Sequence, residues 1–400
     1  MKTLDEIERA HGELTAIRRD IHAHPELAFE ETRTSSLVAE KLRGWGIDVH
    51  TGFGKTGVVG VLQGKGGKGR TIGLRADMDA LPMPENNRFA HKSTISGRMH
   101  GCGHDGHTAM LLGAAQYLSR HRDFAGTVVF IFQPAEENGN AGARAMMQDG
   151  LFDKFPCDAV FGIHNMPGMP VNEFGIRPGP TMASSNRFTI TIKGVGGHAA
   201  QPHKTVDTIV IASEMVGVLQ TVVSRTRNPL DTAVLTVTQI HAGDSFNVIP
   251  AEAVIRGTVR TYTTEVLDLI EDTMRRIVTT LPQVYGGSGE LDFVRAYPPL
   301  VNWEKETEFA AQVAEAAFGK DSVNRAVPPF MGAEDFSFFL QKVPGCYIFL
   351  GNGEGDHRLE SYHGMGPCTL HNPNYDFNDA LLPVGATYWV KLVDTFMKQA

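Results

Sequence analysis

The chain has 400 residues, 42% of them apolar and 20% charged, which supports a sizeable core, suggests two or three domains and excludes disorder as the main state. Its net charge of −8 is spread along the chain, which excludes the basic face of a nucleic-acid binder. Four cysteines (Cys102, Cys157, Cys346, Cys368) make no disulfide framework, the charged start MKTLDEIERAHGEL has no signal-peptide core, and apolar stretches such as 208–219 stop short of the ~20 residues that span a bilayer, so a cytoplasmic protein without a membrane partner is expected.

Residues 4–21 and 31–45 show helical amphipathic spacing, and 57–63 (GVVGVLQ) and 71–75 (TIGLR) read as strands around a Gly/Lys turn. Residues 108–119 read as a helix, 127–132 (TVVFIF) as a buried strand, 141–148 as a helix and 159–163 (AVFGI) as another short apolar strand. Continuous apolar strands between helices predict a parallel sheet covered on both faces. After RPGPTMAS the pattern changes. Residues 186–193 alternate like a half-exposed strand, 206–225 form a long amphipathic helix, 232–242 and 251–262 alternate again, 265–280 is a helix and 290–295 a strand. That β-α-β-β-α-β order is the ferredoxin-like split motif. From 297 the first style returns: a helix at 305–318, the loop MGAEDFSFF, a strand at 346–350 and a last helix from 378. The expected architecture is α/β: a discontinuous domain (1–183 and 297–400) with a largely parallel sheet, split by a smaller α+β domain (184–296).

Ligands of an open α/β sheet bind beyond the carboxyl ends of its strands. There the chain places Ala76-Asp77-Met78-Asp79 after TIGLR, Gln133-Pro134-Ala135-Glu136-Glu137 after TVVFIF, and His164-Asn165 after AVFGI. The densest cluster is MHGCGHDGH, with Cys102, His104, Asp105 and His107 among three glycines. Thiolate, imidazole and carboxylate are ligands for zinc and similar divalent metals, and glycines let close neighbours converge. Gly101, Gly103 and Gly106 also match GxGxxG, but no clear strand precedes them. Adjacent Glu136 and Glu137 diverge, so one can bind metal while the other serves as general base. His371 lies in a Pro/Asn turn, and spacing does not separate it from His357 and His363. His198 follows two glycines in GVGGHAAQPH, where a turn histidine is an equal reading. GKGGKGR lacks the ending and the following helix of a phosphate loop, and neither HExxH nor GxSxG occurs.

Eight segments in order, RRDIHAHPELAFEE, LRADMDALPM, MHGCGHDGHTAMLLGAA, FQPAEENGNAGARAM, GIHNMP, GGHAAQPH, MGAEDFSFF and LHNPNYDFND, resemble the amidohydrolase branch of the aminoacylase/carboxypeptidase-type metallopeptidases, which includes hippurate hydrolases, N-acyl-L-amino-acid amidohydrolases and auxin-conjugate hydrolases. The resemblance covers nearly the whole chain. It implies two divalent metal ions (zinc, manganese, cobalt or nickel) held by Cys102, His104, Glu137, His164 and His371, and Glu136 as general base. It implies that Asp79 supports a ligand from behind, that the inserted domain is a lid and homodimer contact, and that His198 reaches a neighbouring subunit's site. Asn247 and Arg260 match lid positions tied to substrate binding. The expected reaction is hydrolysis of an N-acyl-amino acid to a carboxylate and a free amino acid. The rivals are a dipeptidase or carboxypeptidase with the same metals, a non-catalytic metal-binding protein, for which Glu136 has no use, and a zinc-thiolate site, which needs a second cysteine near Cys102.

Overall fold

The computed structural model describes residues 3–354 and 369–399. His357, His363 and Cys368 lie outside the described residues. The chain divides into two compact units: Met1–Gly179 with Asn302–Pro328 and Phe338–Ala400, and Pro180–Val301 with Pro329–Ser337.

The first unit is built on an eight-stranded sheet in the order Asp48–Phe53, Gly57–Gln63, Thr127–Gln133, Thr71–Asp77, Ala159–Pro167, Gly345–Gly353, Phe174–Gly175, Val323–Asn324. Thr71–Asp77 runs parallel to both Thr127–Gln133 and Ala159–Pro167, and Gly345–Gly353 parallel to Ala159–Pro167. The apolar run Val128 to Phe132 is buried throughout, as a strand covered on both faces demands. Helices His11–Ala23, Thr32–Gly44, His104–Arg120, Glu304–Phe318 and Leu381–Phe396 cover the sheet with Leu14, Ile17, Val38, Leu42, Leu111, Ala310 and Trp389, among others, in one core.

Of the elements that run longer than local patterning predicts, two shape the site. Ala159–Pro167 continues past Ile163 because Gly345–Gly353 pairs with it beyond the apolar run, with His164 opposite Phe349 and Asn165 opposite Leu350. The helix expected from residue 108 begins at His104, directly after Gly103, whose φ of +96° turns the chain into it. Asp48–Phe53 is a strand that local pattern did not reveal; three of its six residues are exposed, so its alternation is weak.

The second unit is a four-stranded antiparallel sheet, ordered Ala233–Ala242, Glu252–Thr261, Ser185–Lys193, Ser288–Tyr297, with helices Thr208–Thr221 and Thr264–Val284. This is the strand order of the ferredoxin-like motif. Val266, Ile270, Met274 and Val278 recur at i, i+4 along the second helix and are buried, and Thr263 caps its start through Val266 N. Thr208–Thr226 is a 19-residue segment that is long and apolar enough to cross a membrane by composition. This corrects the expectation that the stretch stops short. Here Ile211, Met215, Leu219 and Val222 of that segment pack in the unit's own core.

Candidate metal centre

Because Thr71–Asp77 lies between its two parallel neighbours, the segments leaving the carboxyl ends of these strands gather at one edge. They deliver Asp79, Glu136 and Glu137, while His164 stands within Ala159–Pro167. The loop carrying Cys102 is tied to the same edge by the Leu81–Met99 bridge. The His371 backbone amide donates to the Gly101 carbonyl at 2.8 Å, which brings the distant LHNPNYDF turn beside Cys102.

Among the groups of three side chains whose donor atoms lie within 4.8 Å of one another are Cys102, His104 and His164; Cys102, Glu137 and His371; His104, Glu136 and Glu137; and Asp77, His104 and His107. Cys102 Sγ lies 3.4 Å from His164 Nε2, and His371 Nε2 lies 3.3 Å from Glu137 Oε1. Cys102, His104, Glu136, Glu137 and His164 are buried and His371 is exposed. The structure therefore brings together all five residues that the resemblance names as ligands, with Glu136 among them. Cys102 is shared by the triad of His164 and that of His371.

The supporting contacts orient the rings. His164 Nδ1 donates to the Asn165 carbonyl at 2.6 Å, which leaves Nε2 facing Cys102. Burial, with His107 adding, holds His164 well below the usual imidazole range, so its neutral, ligating form dominates. The Asp79 carboxylate lies 3.2 Å from His104 Nδ1 and accepts the amides of Glu136 at 3.0 Å and Glu137 at 2.9 Å. One buried acid thus sets a ring and two consecutive peptides, as a supporting shell does. Burial opposes charge on His104, yet Asp77 and the contact with Asp79 raise it to about 10.

The residues fit a divalent metal centre. Among the described residues the buried Glu137 Oε1 has no hydrogen bond beyond its ion-pair contact with His371. Burial pushes the Cys102 thiol well above its ordinary value, and Glu137, Glu136 and Asp77 push it further. Such a pocket of negative charge calls for a cation, whose arrival deprotonates the thiol. Sulfur, nitrogen and oxygen donors together suit zinc and its neighbours in the first transition series.

The structure divides the MHGCGHDGH cluster. His107 turns away, with Nδ1 2.6 Å from Asp77 Oδ1 and Nε2 at Asn165. Asp105 pairs with buried Arg18 at 2.9 Å and His22 at 2.8 Å, and Arg18 also holds Asp376. These residues brace the loops that carry Cys102 and His371. One buried acid beside the site, Glu31, was missed, because LAFEE ahead of a helix reads as ordinary acids at a helix start.

His198, Asn247 and Arg260 belong to the second unit. His198 is exposed in the short pair Gly197–His198 with Val248–Ile249, and its Nδ1 accepts the Ala200 amide. Asn247 is exposed and receives the Ser245 hydroxyl, and Arg260 is half-buried on Glu252–Thr261.

Residues 73–395 match the model of peptidase family M20/M25/M40. The chain belongs to that family. It is 41% identical over 398 residues to a hippurate hydrolase of Campylobacter jejuni, with both chains covered completely. It is 40% identical to thermostable carboxypeptidase 1 of Saccharolobus solfataricus, covering 88% of each chain. A solved dinuclear metal-binding peptidase of the M20 family from Bacillus subtilis superposes with a TM-score of 0.84 at 32% identity, covering 98% of this chain and 99% of that one. This M20-family chain is a metal-dependent amidohydrolase.

Proposed function

We propose that this M20-family enzyme hydrolyses the amide bond of N-acyl-L-amino acids, hippurate-like conjugates among them, to a carboxylate and a free amino acid. The observation that carries the reading is the Glu136–Glu137 pair: both carboxylates reach the donor cluster, and both amides are fixed by Asp79. Full-length similarity to a hippurate hydrolase supports the substrate class. Cys102, His104, Glu137, His164 and His371 would hold two ions, with Cys102 common to both groups of donors. Zinc or manganese fits the mixed donor set. When bound, such ions acidify water and supply positive charge to the reacting carbonyl. Glu136 takes the proton of the attacking water and hands it to the leaving nitrogen, so the C–N bond breaks with release of a neutral amine. Arg260 and Asn247 would receive the substrate's free carboxylate, and His198 would donate to the developing oxyanion.

We place the homodimer contact on the second unit. Ala233–Ala242 is an edge strand with unpaired backbone groups, and Leu230, Ile240, Phe246 and Val248 are exposed near or on its hairpin. Among the described residues Cys157 and Cys346 form no disulfide, which accords with a reducing cytoplasm.

Similarity to a carboxypeptidase favours a second reading, in which the acyl group is a peptide. A panel of hippurate, N-acetyl and indole-acetyl conjugates, dipeptides and longer peptides, assayed with zinc, manganese, cobalt and nickel in turn, separates them. Turnover of acyl conjugates above dipeptides is expected, and cleavage of peptides alone would overturn the proposal.

A further inference from the structure

Glu31 stands immediately before helix Thr32–Gly44, where an acid ordinarily accepts the first free amides of the helix. It makes no such capping bond. Glu26 does that instead, with Oε1 accepting the Arg33 amide at 2.9 Å and Oε2 the Thr34 amide at 2.8 Å. The Glu31 carboxylate is turned inward and wholly buried. Its Oε1 accepts the Ala135 amide at 2.9 Å and the Phe29 amide at 3.1 Å, and its Oε2 accepts the Thr56 hydroxyl at 2.5 Å.

Ala135 is fully buried with a φ of +55°, a region that a residue with a β-carbon seldom occupies. Residues held there need their surroundings to enforce the conformation, and they cluster at functional sites. The next two amides, of Glu136 and Glu137, go to Asp79. Three consecutive N–H groups are therefore received by two buried carboxylates from separate segments. Burying a carboxylate is expensive, and here its cost is offset by three donors, the Ala135 and Phe29 amides and the Thr56 hydroxyl, which together fix the carboxylate against the turn. The arrangement is intelligible if the direction of the following side chain matters.

We infer that Glu31 is a positioning residue for Glu136: by holding the Ala135 amide in its left-handed turn, it aims the Glu136 carboxylate at the reacting water. The inference rests on the reading of Glu136 as the proton carrier. Geometry of this kind governs turnover more than affinity, because a misplacement of ~1 Å can cost ~100-fold.

The test compares Glu31→Ala, Glu31→Gln and Glu136→Gln in zinc-loaded enzyme, on hippurate or the best substrate of the panel above, with metal content measured on each sample. Glu31→Ala is expected to lower kcat about 30- to 100-fold, with KM within about threefold of wild type and full metal content. Glu31→Gln keeps an oxygen for both amides and should recover at least about tenfold of that loss. A purely structural role would lower the unfolding midpoint and leave kcat per metal-loaded site unchanged; that result overturns the inference, as does a loss that falls on KM or on metal content. If Glu31→Ala does not fold, Glu31→Asp, which keeps the charge and shortens the reach, is read by the same criteria. Should Glu136→Gln retain turnover, the reading of Glu136 fails and this inference with it. Should Glu136→Gln be inactive while Glu31→Ala matches wild type, the inference alone fails.

Discussion

At the scale of single residues, the Glu136–Glu137 pair separates ligand from base by direction rather than by chemistry. Glu136→Gln removes a proton carrier and leaves the five donors in place, so metal content should stay normal while kcat falls about 10²- to 10⁴-fold. Elemental analysis and rate measured together check this, and near-normal turnover with metal bound would remove Glu136 from its role. Cys102 is buried and, without a cation, surrounded by carboxylates that keep it protonated. Zinc binding should therefore release one more proton from the wild type than from Cys102→Ser, read with a pH indicator in weak buffer, and equal release would take it out of the ligand set. Glu31 carries a pH signature of its own. Burial, with Asp79 adding, raises its carboxyl to about 7 from an ordinary 4.5. The folded state keeps a proton that the unfolded chain has lost over that interval. Its contribution to stability is therefore complete below pH 4.5 and disappears as pH rises through 7. The urea midpoint of wild type should fall more between pH 5 and 8 than that of Glu31→Gln, by at most about 3 kcal/mol in stability. Parallel pH dependences would contradict it.

At the scale of elements, the site depends on where strands stop and one helix starts. Local sequence marks the buried strands 71–75, 127–132 and 159–163 by length and composition rather than by periodicity, because short segments of strand length, rich in β-branched and aromatic residues and bounded by turn residues, favour covered strands over helices. It does not show that Ala159–Pro167 continues through His164, since that extension depends on pairing with a strand almost two hundred residues away in the chain. Nor does it show the helix starting at His104, because no side chain caps that end and Gly103 alone turns the chain. A Cβ on Gly103 would lie 2.2 Å from Asn165 Oδ1 and 2.5 Å from the Tyr375 hydroxyl, and its φ of +96° is strained for any other residue. Gly103→Ala should therefore displace the side chain of Asn165, the residue whose carbonyl orients His164, destabilise the protein by about 1–3 kcal/mol and weaken metal binding at least about tenfold. Metal titration and urea unfolding check both parts, and unchanged affinity would mean that the loop absorbs the shift.

At the scale of the whole molecule, the proposed homodimer with His198 serving the partner's site makes a prediction that no single chain can satisfy. A His198→Ala subunit and a Glu136→Gln subunit should each be nearly inactive alone. Mixed after reversible dissociation, random pairing into two-fold dimers gives half heterodimers, each with one site holding both intact groups. Activity should return to about a quarter of wild type. No recovery, with heterodimers shown to form, would place His198 in its own chain's chemistry or outside it.

By itself, the chain determined its α/β class, the order of its main elements and the donor-bearing segments at its strand ends, because these follow from local periodicity and from residue types with few chemical uses. His371 stayed level with His357 and His363 on spacing, and only the resemblance singled it out. Tertiary structure decided which groups face one another. His104 and His107 sit in one turn of the same helix and both face Asp77, but His104 Nδ1 meets Asp79 beside the donors while His107 is held between Asp77 and Asn165. The His371 amide meets Gly101, and Glu31 leaves its helix for Ala135. Ring directions and such distant hydrogen bonds depend on packing between segments far apart in the chain, and they leave no periodic trace in either segment.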